Sequence, residues 1–432
     1  MEIEEIIKIL ETRNVFITGG GGVGKSYTIS LLNKELPLTL TSSTGISAIN
    51  IGGQTIHSWL GIGTCEKDKE DAVAKLYSRK NRAKLKEIQA AEYLVIDEVS
   101  MINSYTFDYI NFVLKQVRQV DEAFGGLRVI LTGDFFQLPP VFIGKIKEIN
   151  NKNVFIDYCF NSEAWKELNL KIINLTKVYR QTDKNFIDSL NRIRVGKCSE
   201  KDEKMIQSRI TYAEPPKDCV KLFGTNKMVD DENTRKYNQL KGEERIYKAV
   251  DKIRIYSSDG DSKMVNPHTH ELKDEDADLW YDFNKNCRVP EILKLKVDTR
   301  VMLLRNRDFE EGLVNGSCGT VAELSERSFL VKFDNGIDCW IGEEDIEITK
   351  QGETKILRTQ IPLNLCYSSS IHKSQGLTFD NIWIDFKNIF AAGQAYVALS
   401  RVKSLSGLYI KGFNKNKVFA DNKVKEFYEG LK

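Results

Sequence analysis

Gly19, Gly24, Lys25 and Ser26 fall in the pattern Gly-x-x-x-x-Gly-Lys-Ser, a spacing built for phosphate. Glycines let backbone N–H groups wrap the phosphates, with Gly20, Gly21, Gly22 and Val23 completing the loop; Lys25 neutralises β and γ charge and Ser26 offers a Mg²⁺ ligand. The run YLVIDEVSM ends an apolar stretch in Asp97 and Glu98. One carboxylate there can join a Mg²⁺ shell while the other sits beside an attacking water. Together the two motifs indicate an ATPase or GTPase rather than a protein that only binds nucleotide. In LTGDFFQLPPV, Gln137 offers an uncharged amide that can sense a γ-phosphate, with Asp134 bracing it; a loop closed by Pro139 and Pro140 would account for the same residues. Arg180 in LTKVYRQTD and Arg401 in YVALSRV can each reach across a cleft to stabilise charge on a transferred phosphoryl group. Either arginine taken alone reads as a surface ion pair.

These groups need elements that hold them. A strand over Asn14 to Thr18, the glycine run and a helix over Lys25 to Glu35 give the strand, loop, helix order that a phosphate loop requires. Apolar strands at Leu38 to Thr41, Tyr93 to Ile96, Leu127 to Thr132 and Ile172 to Leu175 alternate with helical segments, which predicts a doubly wound parallel sheet. That is one RecA-like core over residues 1–175, interrupted by a small inserted subdomain at about 62–88. Strands near Val220 to Phe223 and Ile382 to Asp385, with helices near Lys184 to Val195, Lys227 to Leu240 and Ala391 to Leu399, predict a second α/β core from 176–242 and 356–432. Between them, over 243–355, β-branched runs broken by Gly and Asn, such as RVMLLRN, CGTVAEL and SFLVKFDNG, predict an all-β, SH3-like insertion. Ser257 to Cys287 reads as a polar loop, ordered or flexible.

Bulk properties narrow the function classes. The chain has 432 residues, 41% hydrophobic and 29% charged, with no apolar run long enough to span a bilayer. The acidic start MEIEEIIKILETRN lacks the pattern of a secretory or organelle signal, so a cytoplasmic location is expected. None of the eight cysteines forms a Cys-x-x-Cys pair, and His268 with His270 lacks a cysteine neighbour, so reduced thiols and no structural zinc are expected. A net charge of +2 means that any nucleic-acid binding must come from a local groove.

Beyond the nucleotide motifs, TSSTGISAINIGGQTIHSW, FGGLRVILTGDFFQLPPV, YRQTDKNFIDSLNRIRVG, VMLLRNRDFEEGLVNGSCGTV, SIHKSQGLTFDNIWID and GQAYVALSRV follow one another in order over nearly the whole chain. In these segments the sequence resembles the PIF-type DNA helicases of superfamily one, in a small single-motor form. The resemblance implies two RecA-like P-loop cores and ATP- and Mg²⁺-driven movement 5′ to 3′ along single-stranded DNA. It also implies opening of forked or G-quadruplex DNA, work in DNA repair, recombination or telomere maintenance, a monomeric motor and a bacterial or phage-like, nucleoid-associated setting. It places Gln137, Arg180 and Arg401 at the γ-phosphate and makes Glu98 the water-activating base. Ser26 and Asp97 become metal ligands, and Gln375 with Gly376 links nucleotide to strand. Thr44, His57, Thr225, Asn226, His372, Lys373 and Ser374 match positions lining the strand track. Their hydroxyls, amide, imidazoles and ammonium can bind phosphates without reading bases, and Trp59 can either stack on a base or pack in the core. The basic run Lys75 to Lys86 lies where such helicases insert a subdomain beside the fork, and reads as a solvated helix face or as a DNA-facing wedge. Three features depart from the family. Residues 1 to 13 contain no Gln where an adenine-binding glutamine is usual, the loop reads Gly-Gly-Val-Gly-Lys for Ala-Gly-Thr-Gly-Lys, and Ser42 with Ser43 replaces Ala-Pro. An RNA helicase, a translocase that does not unwind and a nucleotide-switched single-strand binding module are the competing readings.

Overall fold

The computed structural model describes residues 3–431 except 64, 66, 67, 142, 150, 151, 217, 257–261, 288, 306, 309, 310, 312, 314, 315, 351 and 352. It divides into two compact units, Met1–Thr225 with Ser370–Lys432, and Asn226–Ser369.

The first unit is built on a parallel sheet. Its first core carries β1 (Val15–Thr18), β2 (Leu38–Ser42), β3 (Gln54–Thr55), β4 (Tyr93–Asp97) and β5 (Arg128–Gly133), then the antiparallel hairpin β6 (Ile146–Ile149) and β7 (Lys152–Phe155), then β8 (Lys171–Asn174). The central strands β1, β4 and β5 are buried on both faces, which is why those three read as continuous apolar runs. The sheet runs β3-β2-β4-β5-β1-β8 and all its pairings are parallel. Alternation along the strands sends Val15, Ile17, Val95 and Ile130 to one face with Ile6, Leu10, Ile29 and Leu32. Phe16, Leu94, Ile96, Val129 and Leu131 go to the other, where helix Ser104–Arg118 covers them with Phe107, Ile110, Val113, Leu114 and Val117. That helix starts cleanly because Asn103 Oδ1 accepts the Thr106 N–H at 2.8 Å. Helices Lys69–Leu76 and Arg82–Ala90 bury Ala72, Leu76 and Ile88 in the same cluster.

Parallel order puts the carboxyl ends of β1, β4 and β5 on one edge, where open α/β sheets gather their ligands. The phosphate loop, the Asp97–Glu98 pair and the Asp134–Gln137 segment all leave from that edge.

The second core begins with helix Lys184–Arg194 and β9 (Val220–Phe223). The chain then enters the second unit, whose strands are β10 (Arg245–Lys248), β11 (Val250–Tyr256), β12 (Ser262–Val265), β13 (Ile292–Leu295), β14 (Arg300–Leu303), β15 (Cys318–Leu324), β16 (Ser328–Phe333), β17 (Asp338–Gly342), β18 (Glu344–Lys350), β19 (Glu353–Gln360) and β20 (Leu363–Leu365). They form antiparallel sheets ordered β17-β16-β15-β14-β20 and β12-β11-β19-β18, plus the pair β10-β13. Leu295, Val301, Leu303, Val321, Phe329 and Val331 make the larger core.

The expectation of an all-β insertion with a polar loop over Ser257 to Cys287 is corrected here. Residues 257–261 lie outside the described residues, but the remainder carries β12 and helix Asp274–Asn286. Leu279 and Phe283, one helical turn apart, pack with Ile253 and Ile356. The charged opening of this helix hides a short apolar stripe. Arg358 lies in the same unit, almost fully buried, and forks onto Asp251 at 2.7 and 2.8 Å.

The chain returns through β21 (Ser368–Ser370), β22 (Ile382–Asp385) and β23 (Leu408–Lys411), giving a sheet ordered β21-β9-β22-β23 in which β9, β22 and β23 are parallel. No described helix is long and apolar enough to cross a membrane.

Candidate nucleotide site and strand track

β1 ends at Thr18 and the chain turns through Gly19, Gly22 and Gly24 at φ 145°, 78° and 86°. At Gly19 no other residue fits, because a Cβ would lie 2.3 Å from the Leu175 carbonyl oxygen. Lys25 opens the following helix with its side chain buried, and its Nζ donates to the Gly19 and Gly20 carbonyl oxygens at 2.8 and 3.0 Å. Burial lowers the Lys25 pKa against the raising effect of Asp134, Glu98 and Asp97. Ser26 is exposed beside it.

Asp97 closes β4 as a buried carboxylate whose Oδ1 accepts from the Glu98 N–H at 2.9 Å and from the Thr132 hydroxyl. Both of those bonds fall on Oδ1, and a carboxylate oxygen, like the hydroxyl of Ser26, is the kind of hard oxygen donor that Mg²⁺ takes. Glu98 adopts a left-handed backbone at φ 51°, a conformation a non-glycine side chain takes at a cost. Four hydrogen bonds fix the pair. Ser42 Oγ and the Ser43 N–H both donate to the Asp97 carbonyl oxygen at 3.0 Å, Ser43 Oγ donates to that of Glu98 at 2.8 Å, and Gln375 Nε2 donates to Glu98 Oε2 at 2.9 Å. The serine pair that departs from Ala-Pro thus supplies three donors that Ala-Pro lacks. Burial, with Asp97 alongside, pushes the Glu98 pKa up to about 7, and burial also raises that of Asp97.

The second core brings its groups to the same loop. Arg180 Nη1 donates to the Ser400 carbonyl oxygen at 3.1 Å, and Arg401 is held by Val397 O at 2.8 Å and Ser400 Oγ at 2.8 Å. Both guanidinium groups converge on the phosphate loop: a Cβ added at Gly21 would meet Arg180 Nη1 and Arg401 Nη2, each at 3.3 Å. Arg401 is buried, and burial followed by the charge of Arg180 lowers its pKa to about 9. Neither arginine is a surface ion pair. Gly376, at φ 82°, turns the chain after Gln375. Gln137 is buried, with Nε2 3.4 Å from Asp134 Oδ2.

The residues matched to a strand track divide. Lys373, Thr225 and Asn226 are exposed, while Thr44, His57 and His372 are half-buried. Burial lowers the pKa of His57 and of His372, which disfavours the charged form of both imidazoles. Thr44 receives the Ser47 N–H at 3.3 Å at the head of helix Gly45–Asn50. Two expectations are corrected. Trp59 is fully buried, with Nε1 donating to Glu87 Oε1 at 3.0 Å, because helix Ile56–Leu60 turns Ile56, Trp59 and Leu60 into the core together; it offers no face to a base. Ser374 is also fully buried, its hydroxyl donating to the Ile371 carbonyl oxygen at 2.8 Å.

Residues 1–204 match the PIF1-like helicase family model, and residues 280–324 match that of the DNA helicase Pif1 2B domain. The ATP-dependent DNA helicase Pif1 of Bdellovibrio bacteriovorus is 32% identical over 425 residues, which cover 97% of this chain and 89% of that protein. This chain belongs to the PIF1-like helicase family. Human ATP-dependent DNA helicase PIF1 is 34% identical over 98% of the chain, which spans 62% of the length of that relative. Among solved structures, Pif1 helicase from Candida albicans aligns over 100% of this chain and 99% of its own with TM-score 0.80 and 31% identity. Bacteroides sp Pif1 in complex with ADP-AlF4 aligns over 99% and 96% with TM-score 0.79 and 28% identity. The family likeness fits the two RecA-like cores described above.

Sequence reasoning missed several members of the site. Tyr396 sits five residues before Arg401 and accepts the Gly21 N–H at 2.6 Å through its hydroxyl. Thr132, Arg194 and Tyr428 are the others. Arg194 was legible only as the second arginine of LNRIRVG, and Tyr428, whose hydroxyl lies 2.7 Å from Thr18 Oγ1, carries no local signal.

Proposed function

We propose that this chain is an ATP-driven DNA helicase that moves 5′ to 3′ along single-stranded DNA and opens duplex or folded DNA ahead of it. The observation that carries this reading is the convergence of Arg180, Arg401 and Gln375 from the second core on the phosphate loop and Glu98 of the first. A nucleotide gripped between two cores turns hydrolysis into relative movement. Relatives named ATP-dependent DNA helicase PIF1, the structure of Bacteroides Pif1 bound to ssDNA, and a structure addressing DNA unwinding at forked dsDNA by two coordinating Pif1 helicases support DNA as the track.

In this mechanism Lys25 and the loop amides hold the phosphates, Glu98 accepts the proton of the attacking water, and Gln137 orients that water against the γ-phosphate. Arg180 and Arg401 stabilise charge on the transferred group. Asp97 and Ser26 would hold Mg²⁺, which neutralises charge on the β- and γ-oxygens when bound. Gln375, bonded to Glu98 and adjoining His372 and Lys373, passes the state of the nucleotide to the strand track. Thr44, His57, Thr225, Asn226, His372 and Lys373 bind backbone phosphates without base selection.

The test is ATP-dependent unwinding of duplexes bearing either a 5′ or a 3′ single-stranded tail, with an RNA-tailed control. Opening of the 5′-tailed DNA duplex alone supports the reading. Turnover without strand separation on either substrate, or preference for the RNA tail, overturns it.

A further inference from the structure

Gln137 is not held by its own loop alone. Its Nε2 lies 3.4 Å from Asp134 Oδ2, and its backbone N–H donates to the Asp134 carbonyl oxygen at 2.9 Å. Both Asp134 carboxylate oxygens are taken in turn by Arg194, Nε to Oδ2 at 2.8 Å and Nη2 to Oδ1 at 2.7 Å. This is the parallel fork that a guanidinium makes and an ammonium does not. Asp134 is fully buried and the Arg194 side chain is 16% exposed, so little water competes for the pair. The guanidinium carbon also lies 4.9 Å from the centre of the Phe136 ring and 5.6 Å from that of Tyr428.

The partners come from different cores. Asp134, Phe136 and Gln137 follow β5 in the first core, whereas Arg194 is the last residue of helix Lys184–Arg194, where the helix dipole favours a cation. The second core also comes close to the same residue, since a Cβ at Gly393 would lie 2.2 Å from the Gln137 carbonyl oxygen. Gln137 is therefore bonded to Asp134, which the second core holds through Arg194, and is closely approached by the second core at Gly393.

We propose that Arg194 is a positioning residue of the nucleotide site, which through its fork on Asp134 aims the Gln137 amide at the γ-phosphate position and makes that aim depend on helix Lys184–Arg194. The inference rests on the reading of Gln137 as a γ-phosphate contact. A purely structural ion pair would support folding and leave turnover per folded molecule unchanged. A positioning pair lowers kcat while leaving nucleotide affinity in place.

The experiment compares full-length Arg194→Lys, Asp134→Asn, Gln137→Ala and the double variant Arg194→Lys/Gln137→Ala. ATP turnover is measured at saturating oligo-dT, alongside affinity for a fluorescent ADP and melting temperature. Arg194→Lys is expected to lower kcat about 10- to 100-fold, the scale of a misplaced catalytic group, with ADP affinity within about threefold of wild type. The double variant is expected to be no slower than Gln137→Ala alone. Asp134→Asn repeats the pattern and serves if the lysine variant folds poorly. Wild-type kcat in both Arg194→Lys and Asp134→Asn, or losses that multiply in the double variant, would overturn the role of Arg194 even if Gln137→Ala is slow. Wild-type turnover by Gln137→Ala instead removes the reading of Gln137 and this inference with it.

Discussion

At the scale of single residues, the acidic pair shows how much of the site lies outside its motif. Asp97 and Glu98 are recognisable as two letters, yet their geometry depends on Ser42, Ser43, Thr132 and Gln375, four residues from three other segments. Glu98→Gln keeps the size and the possibility of the Gln375 contact while removing the proton acceptor. It should preserve ADP affinity within a few-fold and lower turnover by about 10²- to 10⁴-fold, the usual worth of a general base, as read by steady-state ATPase and ADP titration. Undiminished turnover would remove Glu98 from the chemistry. Arg401→Ala tests the other side of the cleft. If the guanidinium stabilises charge on the phosphoryl group, turnover should fall by about 10³-fold or more while affinity for a single strand changes little. An aggregated variant would instead make this buried arginine structural.

At the scale of elements, the sequence was legible wherever local pattern and tertiary role agree. The parallel strands beneath the phosphate loop are buried on both faces and read as short apolar runs. Helix Asp274–Asn286 was not legible, because its inward residues Leu279 and Phe283 sit among acidic and amide residues whose composition suggests a loop. Trp59 stood open between stacking on a base and packing in the core, and Ile56, Trp59 and Leu60 have the spacing of one buried helical face, which decides for the core. Trp59→Ala should therefore cost about 3–5 kcal/mol of stability, measured by denaturant unfolding, with strand affinity of the folded fraction unchanged. Helix Glu200–Gln207 is anchored by Asp202, which completes a capping box with Ser199 and takes a fork from Arg192 at 2.6 and 2.9 Å. The Arg192 guanidinium holds the Asp202 pKa well below the usual carboxylate range. A depressed folded-state pKa contributes stability above the unfolded value of about 3.9, and that stability is lost as pH falls below it. Since Arg192 is partly exposed, Asp202→Asn should cost about 1–3 kcal/mol at pH 7, and the gap to wild type should narrow as pH is lowered through 4.

At the scale of the whole molecule, charge is the most informative negative. The chain carries 63 basic and 61 acidic residues, so its net charge of +2 cannot by itself draw a polyanion. A protein that tracks a strand under this constraint must concentrate its phosphate contacts. The candidates are few: Lys373 supplies one full charge, while Thr44, Thr225 and Asn226 contribute dipoles and hydrogen bonds, and burial disfavours the charged form of His57 and His372. Neutral donors bind phosphate oxygens but release fewer counterions than ammonium or guanidinium groups do. The salt dependence of single-strand affinity should accordingly be shallow for a DNA motor. A plot of log K against log salt is expected to have a slope of about −0.7 to −3, from roughly one to four neutralised phosphates at −0.7 each. Lys373→Ala should reduce its magnitude by about 0.7 without changing the preference among base sequences, because a contact to phosphate carries no sequence information. A slope indistinguishable from zero would remove the phosphate track. A slope several times steeper would place the main contacts on the basic run from Lys75 to Lys86, where Lys84 already donates to the Ser58 carbonyl oxygen and the other cations would have to supply the grip.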